Sequence, residues 1–369
     1  MFLLERGTDA ARSPTQPTSM VKMRKPAPVR CGRLLLPGWL LLVALIAVAA
    51  GCRRTGASLA GKGFAVILPA ANDGYFEQIV AEMTARGERQ GVTVAVYRPE
   101  EESQASRIRD QVARRVGVLA VAPLPDPDVA QALREASDAG VRIILIEGGL
   151  PNFTPPVQAG AHNELSGQLC ADYLGQQLGG GGEVAIVEDP TTPANEARVS
   201  AFRAWLAERY PAVKIVASAS ATRPAEAATH VERWLAGHPR LRGIFLVRDR
   251  HAGAVARVLA DRPQVLLVGC EGASQAVRLL SERGRRAMFV AHYPREIGRM
   301  VWRAARHLLR GEPPPDGAIV RVEVQPLVAE NRTSFQSWQS DAEPPLTPGV
   351  PWKSELRIER STTPRAGGG

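Results

Sequence analysis

Ten side chains suited to holding a polar small molecule stand where apolar runs end or helices begin: Asp73, Tyr75, Phe76, Asp126, Asn195, Arg198, Arg248, Asp249, Glu271 and His292. Carboxylates, amides, guanidinium groups and aromatic rings in this mixture can exchange hydrogen bonds with a ligand and cover its apolar side. Bond-making chemistry needs a more particular constellation. The chain has no His-Glu-x-x-His, no Cys-x-x-Cys and no Gly-x-Ser-x-Gly, and its six histidines are scattered. Neither a metal, nor a cofactor, nor enzymatic activity is therefore expected. Several of the ten have a plainer use. Asp73, Asp126 and Asn195 fit helix N-caps, and Phe76 begins an apolar helical stripe. Any of the others could edge a solvated cleft.

The elements that would position these residues follow a regular rhythm. Phe64–Leu68 is a continuous apolar run ending at Pro69, as expected of a strand buried on both faces. Phe76, Ile79, Val80 and Met83 then repeat at helical spacing. Strands are expected at 92–97, 118–122, 141–146, 183–187, 213–217, 243–247, 265–269, 288–291 and 319–324. Helices are expected at 103–115, 127–139, 164–177, 195–208, 224–236, 252–260, 273–283 and 295–309. Gly91 and Gly140 fall where helix C-caps belong. Strands separated by helices pair in parallel through right-handed crossovers, which gives an α/β fold of two doubly wound lobes. The run Gly179–Gly182 precedes a strand instead of following one, so it is an αβ turn and not a phosphate cradle.

Length and charge narrow the class. The 369 residues include 45% hydrophobic and 22% charged side chains, an ordinary globular composition. Of the net charge of +9, residues 1–51 carry seven basic and two acidic side chains. The remainder is spread without a basic cluster, which argues against a nucleic-acid partner. Lys22, Arg24, Lys25, Arg30 and Arg33 precede the apolar centre Leu40–Val48, followed by Ala49-Ala50-Gly51-Cys52. That pattern is expected of an export signal, or alternatively of a membrane anchor that is never cleaved. It resembles the bacterial lipoprotein signal, which implies lipidation at Cys52, a membrane anchor, and a location in the periplasm or at the cell surface. Residues 52–61 would be a linker, and the Pro/Gly-rich 331–369 a disordered tail. Cys170 and Cys270 remain for the folded part, either as a disulfide or as two buried thiols.

Six segments in order resemble the type I periplasmic solute-binding proteins of the ribose/galactose-like group. They are Leu68–Phe76, Ala122–Asp128, Gly160–Gly167, Arg198–Phe202, Val247-Arg248-Asp249 and Val268–Gly272. The resemblance implies a cleft between two lobes joined by three crossovers, with lobe one at 62–148 plus 293–316 and lobe two at 149–292 plus 317–330. It implies a monomer that captures a sugar or sugar-like ligand for an ABC permease, or alternatively presents its closed state to a membrane sensor kinase. Within the family pattern, Arg248 stands for an Asn, Glu271 for an Asp and His292 for a Gln. Thr222 stands where a second aromatic plate is common. These departures point to a more polar or charged ligand: a sugar acid, a phosphorylated sugar, a cyclitol or a signal molecule.

Overall fold

The computed structural model describes residues 63–70, 74–98, 102–282, 284, 286–312, 314, 319–335 and 338. Cys52, Asp73 and the N-terminal signal lie outside the described residues.

Two six-stranded sheets form. The first contains β1 (Phe64–Ile67), β2 (Val94–Tyr97), β3 (Val118–Val121), β4 (Arg142–Ile146), β5 (Val157–Ala161) and β11 (Ile319–Val322) in the order β11-β5-β4-β3-β1-β2. The second contains β6 (Gly181–Glu188), β7 (Ala212–Ser220), β8 (Leu241–Leu246), β9 (Leu266–Glu271), β10 (Ala287–Ala291) and β12 (Gln325–Leu327) in the order β12-β10-β9-β8-β6-β7. Pairing is parallel throughout, except that β12 runs antiparallel to β10. Strands such as β1 and β3 are buried along their whole length, which is why they read as unbroken apolar runs.

Helices cover both faces of each sheet. In lobe one, α1 (Tyr75–Glu88) packs with α9 (Pro294–Arg310), and α2 (Gln104–Ala113) with α3 (Pro127–Asp138). In lobe two, α4 (Asn163–Gln177) packs with α5 (Pro193–Arg209). On its other side, α6 (Pro224–Gly237), α7 (Ala252–Val258) and α8 (Ser274–Leu279) lie in succession. The stripe Phe76, Ile79, Val80, Met83 is buried against the sheet. Gly91 and Gly140 take positive φ at helix ends.

The chain passes between lobes between β5 and α4, between β10 and α9, and between β11 and β12. The lobe boundaries expected at 148/149 and 316/317 therefore shift. The sheet pairings put β5 and β11 in lobe one, because β5 pairs with β4 and β11 with β5. β5 went unrecognised because Val157-Gln158-Ala159-Gly160-Ala161 is neither strongly apolar nor alternating. The strand expected over 319–324 divides into β11 and β12, one for each sheet. Residues 331–335, expected to open a disordered tail, are ordered. A short 3-10 turn covers Arg332–Ser334, and Phe335 is buried against the Tyr293 ring.

Cys170 on α4 and Cys270 on β9 are buried thiols with sulfur atoms 3.7 Å apart, in contact but unbonded. No helix of the described residues is long and apolar enough to cross a membrane.

Candidate binding site between the lobes

In both lobes the doubly wound order places loops at the carboxyl ends of the strands, at the switch between β1 and β3 and between β6 and β8, where ligands gather in such sheets. Lobe one contributes Tyr75 at the start of α1 and Glu147 just beyond β4. Glu147 has φ of +70°, unusual for a residue with a side chain. Gly160 on β5 makes room for it, since a Cβ there would stand 2.7 Å from the Glu147 Cα. The Glu147 carboxylate accepts from Tyr75 Oη at 2.7 Å and from Asn163 Nδ2 at 3.1 Å. Burial first, and then the neighbouring Glu147, push the Tyr75 phenol well above its ordinary pKa.

Lobe two contributes Arg198 from α5, a helix capped by Thr192 with Pro193 in its first turn. The Arg198 side chain is about 2% exposed. Its Nε donates to Asn163 Oδ1 at 2.7 Å. Its Nη1 donates to Glu271 Oε1 at 3.0 Å, Asn195 Oδ1 at 3.3 Å and the Val247 carbonyl at 3.3 Å. Its Nη2 lies 4.0 Å from Glu147 Oε2 in the other lobe. Beside it, Arg248 Nε donates to both Glu271 oxygens at 3.1 and 3.2 Å, and Nη1 lies 3.7 Å from Asp189. Arg250 reaches the same Asp189 at 3.2 Å and the Thr222 carbonyl at 2.7 Å. Burial alone would raise the Glu271 pKa, but Arg248 and Arg198 outweigh it and hold the carboxyl below its ordinary range. Burial opposes the charge on Arg198, yet Glu271 and Glu147 raise its pKa and keep it charged.

Glu271 also has positive φ, +102°. Thus one carboxylate in each lobe sits at a strand end in a strained backbone conformation, a cost of about 1–3 kcal/mol each. Such outliers persist where a side chain must be aimed.

His292, at the end of β10, is wholly buried, and burial followed by Arg198 holds its pKa well below normal, so the ring is neutral. Its Nε2 lies 2.9 Å from Ser166 Oγ and its Nδ1 3.5 Å from Tyr75 Oη. Ser166 donates its hydroxyl proton to the His162 carbonyl, so Nε2 of His292 is the donor toward Ser166. This is a positioning contact without the geometry of an activated nucleophile.

Tyr75, Asn195, Arg198, Arg248, Glu271 and His292 thus meet in one polar cluster. Other expected residues have different places. Asp249 is a correction. It is fully buried, and its carboxylate accepts from the Gly272 and Ala273 amides at 2.7 and 3.0 Å, so it braces the loop that carries Glu271. Asp126 caps α3 by accepting from the Asp128 amide at 2.8 Å. It stays exposed, lining an inter-lobe groove of about 740 Å³ together with Leu150, Pro193 and Glu196. Phe76 packs into the core edge-on to Tyr75. Asp73 lies outside the described residues, and the α1 N-cap is Gly74. Thr222 is exposed and supplies no aromatic plate.

Glu147, Asn163, Ser166, Asp189 and Trp338 escaped the sequence reading. Glu147 carries the same signal as Arg248 and Glu271, a charge directly after a buried strand. Trp338, whose indole Nε1 donates to the Glu271 carbonyl, lies beyond the last strand, where periodicity gives no guide. Among the described residues no group of three or more His, Cys, Asp or Glu side chains could hold a metal ion.

A family model described as a periplasmic binding protein domain matches residues 64–313. The chain belongs to the periplasmic binding protein family. The binding protein is 25% identical over 245 residues to the ribose import binding protein of Bacillus subtilis strain 168, covering 65% of this chain and 79% of that one. It is 29% identical over 197 residues to the D-ribose/D-allose-binding protein of Pseudomonas aeruginosa, covering 50% and 60%. Among solved structures, an ABC transporter solute-binding protein of Burkholderia graminis in complex with D-arabinose superposes with a TM-score of 0.68 at 22% identity, over 75% of this chain and 99% of that one. A periplasmic solute-binding protein of Actinobacillus succinogenes with bound D-allose gives 0.65 at 21% identity, over 74% and 100%. At these identities the superpositions speak for the fold alone.

Proposed function

We propose that this chain is an extracytoplasmic solute-binding protein that captures a neutral, hydroxyl-rich sugar between its lobes for an ABC importer. The family itself works outside the cytoplasm, and the relatives named above are ribose and allose binders. The observation that carries the ligand class is charge matching. Among the described residues, Arg198, Arg248 and Arg250 face Glu147, Glu271 and Asp189, so no cation is left over for an anion. Bringing a phosphate or carboxylate into this dry cluster would bury excess negative charge, which is costly. The charged ligand suggested by the departures from the family pattern is therefore disfavoured.

A sugar suits the cluster better. Its hydroxyls donate to carboxylates and accept from guanidinium groups, and the charges already present strengthen those bonds. The Asn195 amide nitrogen is buried without a protein partner and offers a donor to a ligand oxygen. Tyr75 provides a ring for the apolar side of the sugar. Lipidation at Cys52, supported by the sequence alone, would tether the protein beside its importer, and this reading includes a monomer with no nucleic-acid partner.

A thermal-shift screen across neutral sugars, sugar acids and sugar phosphates tests the ligand class. The expected result is a raised melting temperature with one or more neutral sugars. Stabilisation by sugar phosphates or sugar acids alone would overturn it.

A further inference from the structure

We infer that Trp338, delivered by the segment after the last strand, forms the second aromatic wall of the sugar site. The inference rests on the sugar-binding reading above and adds to it a residue that belongs to neither lobe's sheet.

The segment is held firmly before it reaches the cleft. β12 pairs with β10 from Gln325 to Leu327. Asn331 closes the next turn, accepting from the Val328 amide at 2.8 Å and donating to the Pro326 carbonyl at 2.9 Å. Tyr293 Oη donates to Gln325 Oε1 at 2.7 Å, and Gln325 Nε2 donates to Ser334 Oγ at 2.6 Å. Phe335 is buried edge-on to Tyr293, with ring centres 5.7 Å apart.

Trp338 then touches both halves of the polar cluster. Its indole Nε1 donates to the Glu271 carbonyl at 2.6 Å, in lobe two. Its ring stands 5.3 Å from Tyr75 in lobe one, at 79°. The two rings stand nearly perpendicular, and Tyr75 also donates to the Glu147 carboxylate. With its one donor spent on Glu271, the indole offers a ligand its apolar face, which suits the C–H side of a sugar. Phe335 is buried, whereas Trp338 keeps part of its surface open. This wall replaces the aromatic plate that Thr222 does not supply.

The test compares the mature chain with Trp338→Phe and Trp338→Ala. Without sugar, the emission difference between wild type and Trp338→Phe isolates the indole of residue 338, and acrylamide quenching reports its shielding. Partial shielding is expected, and a fully exposed indole overturns the proposal. Calorimetric titration with D-ribose, D-allose and D-arabinose gives the second readout. Trp338→Ala should bind roughly tenfold or more weakly, while Trp338→Phe, which keeps a flat ring, stays much closer to wild type. Wild-type affinity in Trp338→Ala overturns the proposal while leaving sugar binding intact. A wild-type protein that binds none of the three sugars overturns the sugar reading and the sugar wall with it, a result distinct from failure of the wall alone.

Discussion

Arg198 on α5 and Glu271 at the end of β9 form a 3.0 Å ion pair whose side chains are about 2% and 4% exposed. These are not groups waiting in solvent for a ligand, as charged residues at a cleft edge would be. They help hold lobe two together before any ligand arrives. Removing one partner strands the other's charge in a dry interior, which typically costs 3–5 kcal/mol. Arg198→Ala should therefore lower unfolding stability by about that much, read from chemical denaturation. Wild-type stability in that variant would mean that the pair is solvated.

The buried histidines in and beside this cluster make stability fall in acid, opposed by Asp249, whose carboxyl burial and then Glu271 push well above its ordinary pKa. His292 and His251 are buried and held neutral, His251 with a pKa lowered to about 4 by burial and then by Arg250. In the unfolded chain both take up protons near pH 6.5. Below that pH the unfolded state binds more protons than the folded one, so stability drops as pH falls. Glu271, held below the ordinary carboxylate range, adds its loss only at lower pH still, as it protonates through its depressed folded pKa. Denaturation midpoints measured between about pH 4 and 6.5 should decline in wild type and decline less in His292→Gln. An identical slope in the two would contradict the burial of a neutral His292.

Gly167 on α4 sets how closely α5 approaches. A Cβ there would come within 2.1 Å of the Arg198 carbonyl oxygen and 3.1 Å of the Phe202 amide. Both are backbone atoms, so the helices must separate. Gly167→Ala should cost about 1–3 kcal/mol or more and weaken ligand binding by moving Arg198. Calorimetry of unfolding and of binding reads the two effects separately, and an unchanged melting temperature would refute the tight contact.

Anchoring has its own test. Cys52→Ser should abolish labelling by a fatty-acid analogue and release the protein from membranes. Retained labelling and membrane association in the variant would exclude lipidation at that residue.

Much of the fold was legible because buried parallel strands such as Phe64–Ile67 are continuous apolar runs between helices with a clear stripe. The membership of β5 and β11 was not, since which sheet a strand joins depends on pairing partners distant in sequence. The polar cluster was legible at Arg198, Arg248 and Glu271, where a charge follows a buried strand or starts a familiar motif. Asp249 misled because a carboxylate that braces backbone amides looks the same in sequence as one that binds a ligand. Burial of the charged residues was equally hidden, because it arises from mutual pairing among α5, β4, β8 and β9.

Titration calorimetry of the mature chain with D-ribose, D-allose and D-arabinose, in wild type and Glu147→Gln, tests the central claim most directly. Glu147 accepts from Tyr75 in its own lobe and from Asn163 at the crossover, and the substitution keeps its shape while removing its charge. The account predicts that wild type binds at least one of these neutral sugars and that Glu147→Gln binds it roughly ten- to a hundredfold more weakly. Equal affinity in the two proteins would place the sugar elsewhere and contradict the account.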